Sequence, residues 1–347
     1  MSTVMFKSVG AITRAFVTSN IITRKTQHQL CRLFCVQPKP KPRDVILFPG
    51  QGSQYVGMIP HLTKLPSGKR LFEIANEILG YDLLGICLNG PKAELDRTVH
   101  CQPAVFVASL AALEKYKEIQ NIGQLEKESI VTAGFSVGEF ASLVLSKALT
   151  FEDGVRLVDI RAKAMQRASD ENPSGMVTIT GVDEQEVEDL LKSVREILKE
   201  DVTIKIANYL YPRGFVLAGD RKAIDYLLKL PNGPKIIELS VSGAFHTALM
   251  KFAQPFLSDA LDSMDVRLPE IEVYSNVTGK PYESVEDIKR LLPRQLVEPV
   301  QWHAIMRSIC GSKYEQTFYE IGPGRQLTAI LSKLNRSLVR KCKNIEI

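Results

Sequence analysis

The sequence predicts an α/β protein: a parallel-sheet core with a smaller ferredoxin-like subdomain inserted into it. Short apolar runs that end at Gly or Pro alternate with amphipathic helical stretches, the pattern of a parallel sheet covered on both faces. Between residues 175 and 240 the order becomes β-α-β-β-α-β, which closes a compact unit of about that size. The length of 347 residues, with 45% hydrophobic and 24% charged side chains, fits one large or two modest globular domains.

Residues 1–43 read differently from the rest. They hold eight basic side chains (Lys7, Arg14, Arg24, Lys25, Arg32, Lys39, Lys41 and Arg43) and no acidic one. Removing those eight from the 44 basic residues leaves 36 against 39 acidic, a net charge of −3, so the body carries no nucleic-acid footprint. At 100° per residue Met5, Val9, Ile12 and Phe16 share a face opposite Lys7 and Arg14, as in a mitochondrial transit peptide. A disordered basic tail is the alternative. Pro38-Lys-Pro-Lys-Pro42 reads as the linker that follows. The longest near-apolar stretch, Pro103 to Leu113, falls short of the ~20 residues of a membrane helix. Six cysteines without a CxxC pair argue against a disulfide framework or a structural zinc site.

The body opens with Val45 to Phe48, a buried strand feeding the turn at Pro49-Gly50. A helix over Gln102 to Tyr116, a strand at Ser129 to Ala133 and a helix from Val137 to Lys147 follow. Strands at Met176–Thr180, Val202–Ala207, Phe215–Ala218 and Lys235–Val241, with helices at Asp183–Glu200 and Arg221–Leu230, make up the insertion. It spans 175–240, which leaves 44–174 and 241–347 as the core. Ile271–Val277, Phe318–Ile321 and a C-terminal helix complete the core.

Gly134-Phe-Ser-Val-Gly138 matches the G-x-S-x-G elbow in its strand–turn–helix setting, which would present Ser136 Oγ as a nucleophile. The Val137 amide would then point from a helix start toward a developing oxyanion. An ordinary turn is the alternative. Phe48-Pro-Gly-Gln-Gly-Ser-Gln54 lacks the spacing and the Lys of a nucleotide loop. It can be a plain tight turn, or it can supply the Gln51 amide as a second oxyanion donor, each such donor contributing ~2.7–4 kcal/mol. Of five histidines, His246 alone sits at a loop–helix junction after a strand, where it can be a base or merely structural. Arg161 falls among Leu157, Val158, Ala164 and Met165, opposite the polar face of Arg156, Asp159, Lys163 and Arg167. It either snorkels to water or awaits a carboxylate, and beside an activated serine that carboxylate can belong to a substrate.

Ordered blocks across Val45 to about Leu334 resemble the malonyl-CoA:acyl carrier protein transacylase family, mitochondrial type. They are Phe48–Gln54, Gly80–Leu83, Gln102–Ala104, Gly134–Glu139, Arg161–Gln166, Phe245–Met250, Arg294–Leu296, Pro299–Trp302 and Glu320–Gly324. The resemblance implies an α/β-hydrolase-like core and malonyl transfer from malonyl-CoA to the phosphopantetheine thiol of an acyl carrier protein. That activity would serve mitochondrial fatty-acid synthesis in the matrix, without metal or bound cofactor. It makes Ser136 the nucleophile and His246 its partner, Arg161 the grip on the malonyl carboxylate, and the Gln51 and Val137 amides the oxyanion hole. A backbone carbonyl at Gln295 would orient His246 in place of a triad acid. Phe135 stands where many relatives have His, which leaves His246 as the base. Asn208-Tyr-Leu-Tyr-Pro-Arg213 departs from a bacterial Asn-x-Asn-Ser-Pro stretch, with Asn208 the candidate substrate contact. A serine acyl-thioester hydrolase is the rival reading. The basic run Lys333, Arg336, Arg340, Lys341 and Lys343 is either a carrier-docking surface or a solvated helix face.

Overall fold

Nine strands form two sheets in the computed structural model, which describes residues 42–61, 64–120, 129–199, 202–231 and 233–346. The transit-peptide reading and most of the Pro-Lys linker lie outside the described residues. Arg43, grouped above with the leader, is the first residue of β1 (Arg43–Phe48) and pairs with Glu272 at 3.2 Å.

The core sheet combines β1 with β2 (Ile130–Gly134), β7 (Glu272–Tyr274), β8 (Gln316–Ile321) and β9 (Cys342–Ile345) in the order β7-β2-β1-β8-β9. All four pairings are parallel. Helices cover both faces, so Val45–Phe48 and all of β2 are buried, which explains their unbroken apolar sequence. The chain first builds outward from β1 through β2 to β7, then returns to the other side with β8 and β9. Such a reversal opens a crevice beyond the carboxyl ends of the strands, where ligands bind in open α/β sheets.

The second sheet contains β3 (Ser174–Thr180), β4 (Ile204–Tyr211), β5 (Gly214–Asp220) and β6 (Lys235–Glu238) in the antiparallel order β4-β5-β3-β6. With the helices Glu184–Leu198 and Arg221–Leu228 this is the ferredoxin-like arrangement, and it has its own apolar cluster around Val177, Leu191, Leu217 and Ile224. Asp183 caps the first of these helices in a full capping box with Glu186. The outer edge of β4 is covered by core residues: Tyr209 N–H donates to Val300 O, and Val300 N–H to Ala207 O, both at 2.9 Å.

Thr150 caps the helix Phe151–Glu171: its hydroxyl oxygen accepts the Asp153 amide at 3.1 Å and its hydroxyl donates to the Asp153 carboxylate. One local reading changes. The basic run near the C-terminus does not form one helix face. Lys333 ends the helix Gln326–Leu334, Arg336 opens a one-turn helix, and Lys343 lies in β9 over the Tyr319 ring.

Candidate active site

Ser136 sits between β2 and the helix Gly138–Leu145 with φ +53°, the left-handed conformation of a strand-to-helix elbow. Close packing explains the flanking glycines. A Cβ on Gly138 would lie 2.3 Å from Phe48 O, and one on Gly134 would lie 1.9 Å from Gly138 backbone atoms. Asn276, just past the end of β7, pins the turn: its Oδ1 accepts the Ser136 amide and its Nδ2 donates to Gly134 O, both at 2.7 Å.

His246 also has positive φ, +63°, in the loop after β6 rather than at a strand end. Its Nε2 lies 3.0 Å from Ser136 Oγ, and its Nδ1 lies 2.6 Å from the backbone oxygen of Gln295. A carbonyl can only accept, so Nδ1 carries the hydrogen and Nε2 keeps its lone pair toward the serine. Burial, with the nearby Arg161 charge adding to it, pushes the imidazole pKa down to about 3, so the ring is a neutral acceptor at physiological pH.

Arg161 does not snorkel. Only 1% of it is exposed. Its Nη1 donates to Gln102 Oε1 at 2.5 Å, and its Nη2 to Gln295 Oε1 at 2.8 Å and Ser136 Oγ at 3.0 Å. Its Nε has no hydrogen-bond partner among the described residues. Burial lowers its pKa to about 9 against the raising effect of Glu139, which leaves it cationic at neutral pH. A buried guanidinium held by neutral oxygens, with its Nε unpartnered among the described residues, is a receptor for an anion.

The loop after β1 closes the other side. Phe135 N–H donates to Phe48 O at 2.9 Å, and Gly50 lacks a Cβ that would meet Phe135 O at 2.6 Å. Gln326, at the start of the C-terminal helix, clamps this loop: its Oε1 accepts the Gly50 amide at 2.8 Å and its Nε2 donates to Gln51 O at 3.1 Å. The Gln51 side chain meets Gln102 Nε2 at 3.4 Å. Gln51 and Val137 therefore lie on the two loops that flank Ser136. Asn208 is buried in β4 and bridges to Val300, and no hydrogen bond joins it to Ser136, His246 or Arg161. The Phe135 ring packs edge-on against Trp302 at 5.4 Å, so the position before the serine is apolar.

Four contributors carried no individual role in the sequence reading: Gln102, Glu139, Asn276 and Tyr282. Gln102 and Glu139 lie inside motif blocks quoted above. Asn276 falls within the apolar run 271–277, where its polar side chain just past a short strand, at the same sheet end as Ser136, is the signal that marks it.

The fold is that of an acyltransferase-type α/β protein. The chain belongs to the acyl transferase domain family, whose sequence model matches residues 45–346. It is 43% identical to the human "Malonyl-CoA-acyl carrier protein transacylase, mitochondrial" over 321 residues, covering 89% of this chain and 81% of that protein. Against the Escherichia coli K12 malonyl CoA-acyl carrier protein transacylase the identity is 33%, covering 86% and 94%. The solved malonyl CoA-acyl carrier protein transacylase of Coxiella burnetii superposes with a TM-score of 0.80 at 30% identity, covering 88% and 94%. A malonyl-transacylase solved in complex with its type II polyketide acyl-carrier protein gives 0.76 at 32%, covering 87% and 94%.

Proposed function

We propose that this chain is a malonyl-CoA:acyl carrier protein malonyltransferase of the mitochondrial matrix that works through a malonyl-serine ester. The observation that carries this reading is the 3.0 Å contact between the Arg161 guanidinium and Ser136 Oγ. A buried cation one hydrogen bond from a serine nucleophile selects an acyl group that ends in its own carboxylate, and malonyl is short enough to span that gap.

Ser136 Oγ attacks the thioester carbonyl as its proton passes to His246 Nε2, along the existing 3.0 Å contact. The Gln295 carbonyl steadies the resulting imidazolium through Nδ1–H. The Gln51 and Val137 amides take the oxyanion. The intermediate collapses, the C–S bond breaks, and His246 returns the proton to the CoA thiolate. The thiol of the carrier's phosphopantetheine then gives its proton to His246 and attacks the ester; the C–O bond breaks and His246 returns the proton to Ser136 Oγ. Asn208, buried in β4 of the small sheet, is assigned to substrate contact, the leader ahead of β1 to import, and 175–240 to the inserted subdomain.

Incubation with malonyl-CoA, with and without holo-carrier, tests the reading. Transfer predicts at most one CoA released per enzyme until carrier is added, then malonyl-carrier in step with CoA. Continuous CoA release with free malonate and no carrier would make the protein a thioester hydrolase.

A further inference from the structure

Beneath the nucleophile lies a carboxylate that the acyl-transfer steps do not use. Glu139, in the first turn of the helix after the elbow, is fully buried. Its Oε1 accepts the Tyr282 hydroxyl at 2.5 Å and the Asn276 amide at 3.1 Å, and its Oε2 accepts Gln295 Nε2. Two of these partners, Asn276 and Gln295, lead back to the reacting groups. Asn276 holds the Ser136 amide and the Gly134 carbonyl. Gln295 presents its side-chain oxygen to Arg161 and its backbone oxygen to His246.

The orientation of the Gln295 amide is fixed by chemistry. Its Nε2 also donates to Ser136 O at 3.0 Å, and that carbonyl can only accept. Nε2 must therefore face Glu139, and Oε1 must face Arg161. Gln295 and Asn276 both donate to the carboxylate and neither can accept at those atoms, so these two bonds favour its ionised form. It supplies the negative charge for the Arg161 cation through one intervening amide, so the guanidinium itself stays clear of a fixed carboxylate.

We propose that Glu139 is a positioning residue: an ionised buried carboxylate that sets Gln295 and Asn276, and through them the poise of Ser136, His246 and Arg161. The ionisable groups around it are few. Tyr282 faces it from the segment after β7, with its phenol pushed far up by burial and by this carboxylate, and Asp287 adds to that rise. Arg161 acts on it from the helix Phe151–Glu171, and His246 stands neutral on the far side of Gln295. Burial pushes the Glu139 carboxyl up to about 7, with Tyr282, Gln295, Asn276 and Arg161 drawing it back. Because burial keeps the His246 ring neutral to about pH 3, the acid limb of Ser136 reactivity reports Glu139 rather than the base.

The proposal rests on Ser136 being the nucleophile, so its test uses a probe that needs no malonyl group. The rate of Ser136 phosphonylation by a fluorophosphonate is measured from pH 5 to 9 in the parent, Glu139→Gln and Tyr282→Phe. In Glu139→Gln the new NH₂ group faces either Gln295 Nε2 or the Asn276 amide, so one of the two positioning bonds is lost, and the rate at pH 8 falls ~10- to 100-fold with the limb near pH 7 gone. Tyr282→Phe removes a donor from the carboxylate, so the limb moves to higher pH while the rate above it stays within a few-fold. That shift is the readout if Glu139→Gln does not fold. Variants that keep the parent limb and the parent rate would overturn the proposal. A parent that reacts with the phosphonate but never takes up malonyl would overturn only the substrate assignment.

Discussion

Removing the Arg161 guanidinium should convert a malonyl-selective site into a poorly selective one. In the resting protein its Nη atoms bond three neutral acceptors, Gln102, Gln295 and Ser136, and Nε bonds none. A carboxylate that takes two donors exchanges bonds charged on one side only for bonds charged on both, a gain of about 2 kcal/mol for the pair. Relief of the incompletely paired buried charge adds ~1–3 kcal/mol. The sum of ~3–5 kcal/mol corresponds to ~10²–10⁴-fold preference for malonyl-CoA over acetyl-CoA at ~1.4 kcal/mol per decade. The neutral partners already present cushion the acetyl penalty, which keeps the figure below that of a site with a bare cation. Arg161→Ala should lose most of this preference, with malonyl kcat/KM falling ~10²-fold or more and acetyl far less. The control is Lys163→Ala on the exposed side of the same helix, where the ion pair to Asp159 at 2.7 Å is a surface pair of ~0–1 kcal/mol. Stopped-flow CoA release with each acyl-CoA gives the ratio, and thermal melts check the fold. Equal loss of both activities in a variant that melts like the parent would refute selection by Arg161.

Two further outcomes follow from the geometry. His246 is neutral when folded down to about pH 3 but takes a proton below 6.5 when unfolded, so its contribution falls with pH through that window at ~1.4 kcal/mol per pH unit. Glu139 shifts the opposite way, up to about 7, so the comparison is with His246→Asn, in which Glu139 is retained. Between pH 6.5 and 5 the parent should lose ~2 kcal/mol relative to that variant by urea unfolding, and parallel curves would contradict the burial argument. Gly138→Ala would drive a methyl to within 2.3 Å of Phe48 O, so it should cost ~1–3 kcal/mol and abolish Ser136 labelling. A melt and labelling rate equal to the parent's would show that the elbow is not held by that packing.

The fold was legible where one signal dominates. The apolar runs of β1 and β2 and the β-α-β-β-α-β grammar of the insertion gave both sheets, because burial on both faces or strict element order leaves a local imprint. β9 left none: Cys-Lys-Asn-Ile is half-buried at a sheet edge, and its pairing with β8 is a tertiary choice. Helical phase placed Arg161 on the buried face correctly, but not the Gln102 and Gln295 oxygens that hold it, 59 and 134 residues away. Ser136 announces itself through its glycines. His246 gained its meaning from the resemblance, since its approach to Ser136 spans 110 residues and depends on a loop conformation. Glu139 was hidden by its surroundings, because a carboxylate in the first turn of a helix ordinarily faces water and complements the helix dipole.

The central claim is a malonyl-serine ester on Ser136 that a carrier thiol discharges. Intact-mass measurement after a brief exposure to malonyl-CoA tests it most directly, with peptide mapping to place the adduct. The account predicts one malonyl group per chain on Ser136, absent in Ser136→Ala, and lost on adding holo-carrier as malonyl-carrier appears. An adduct on another residue, or carrier malonylation that persists in Ser136→Ala, would contradict it.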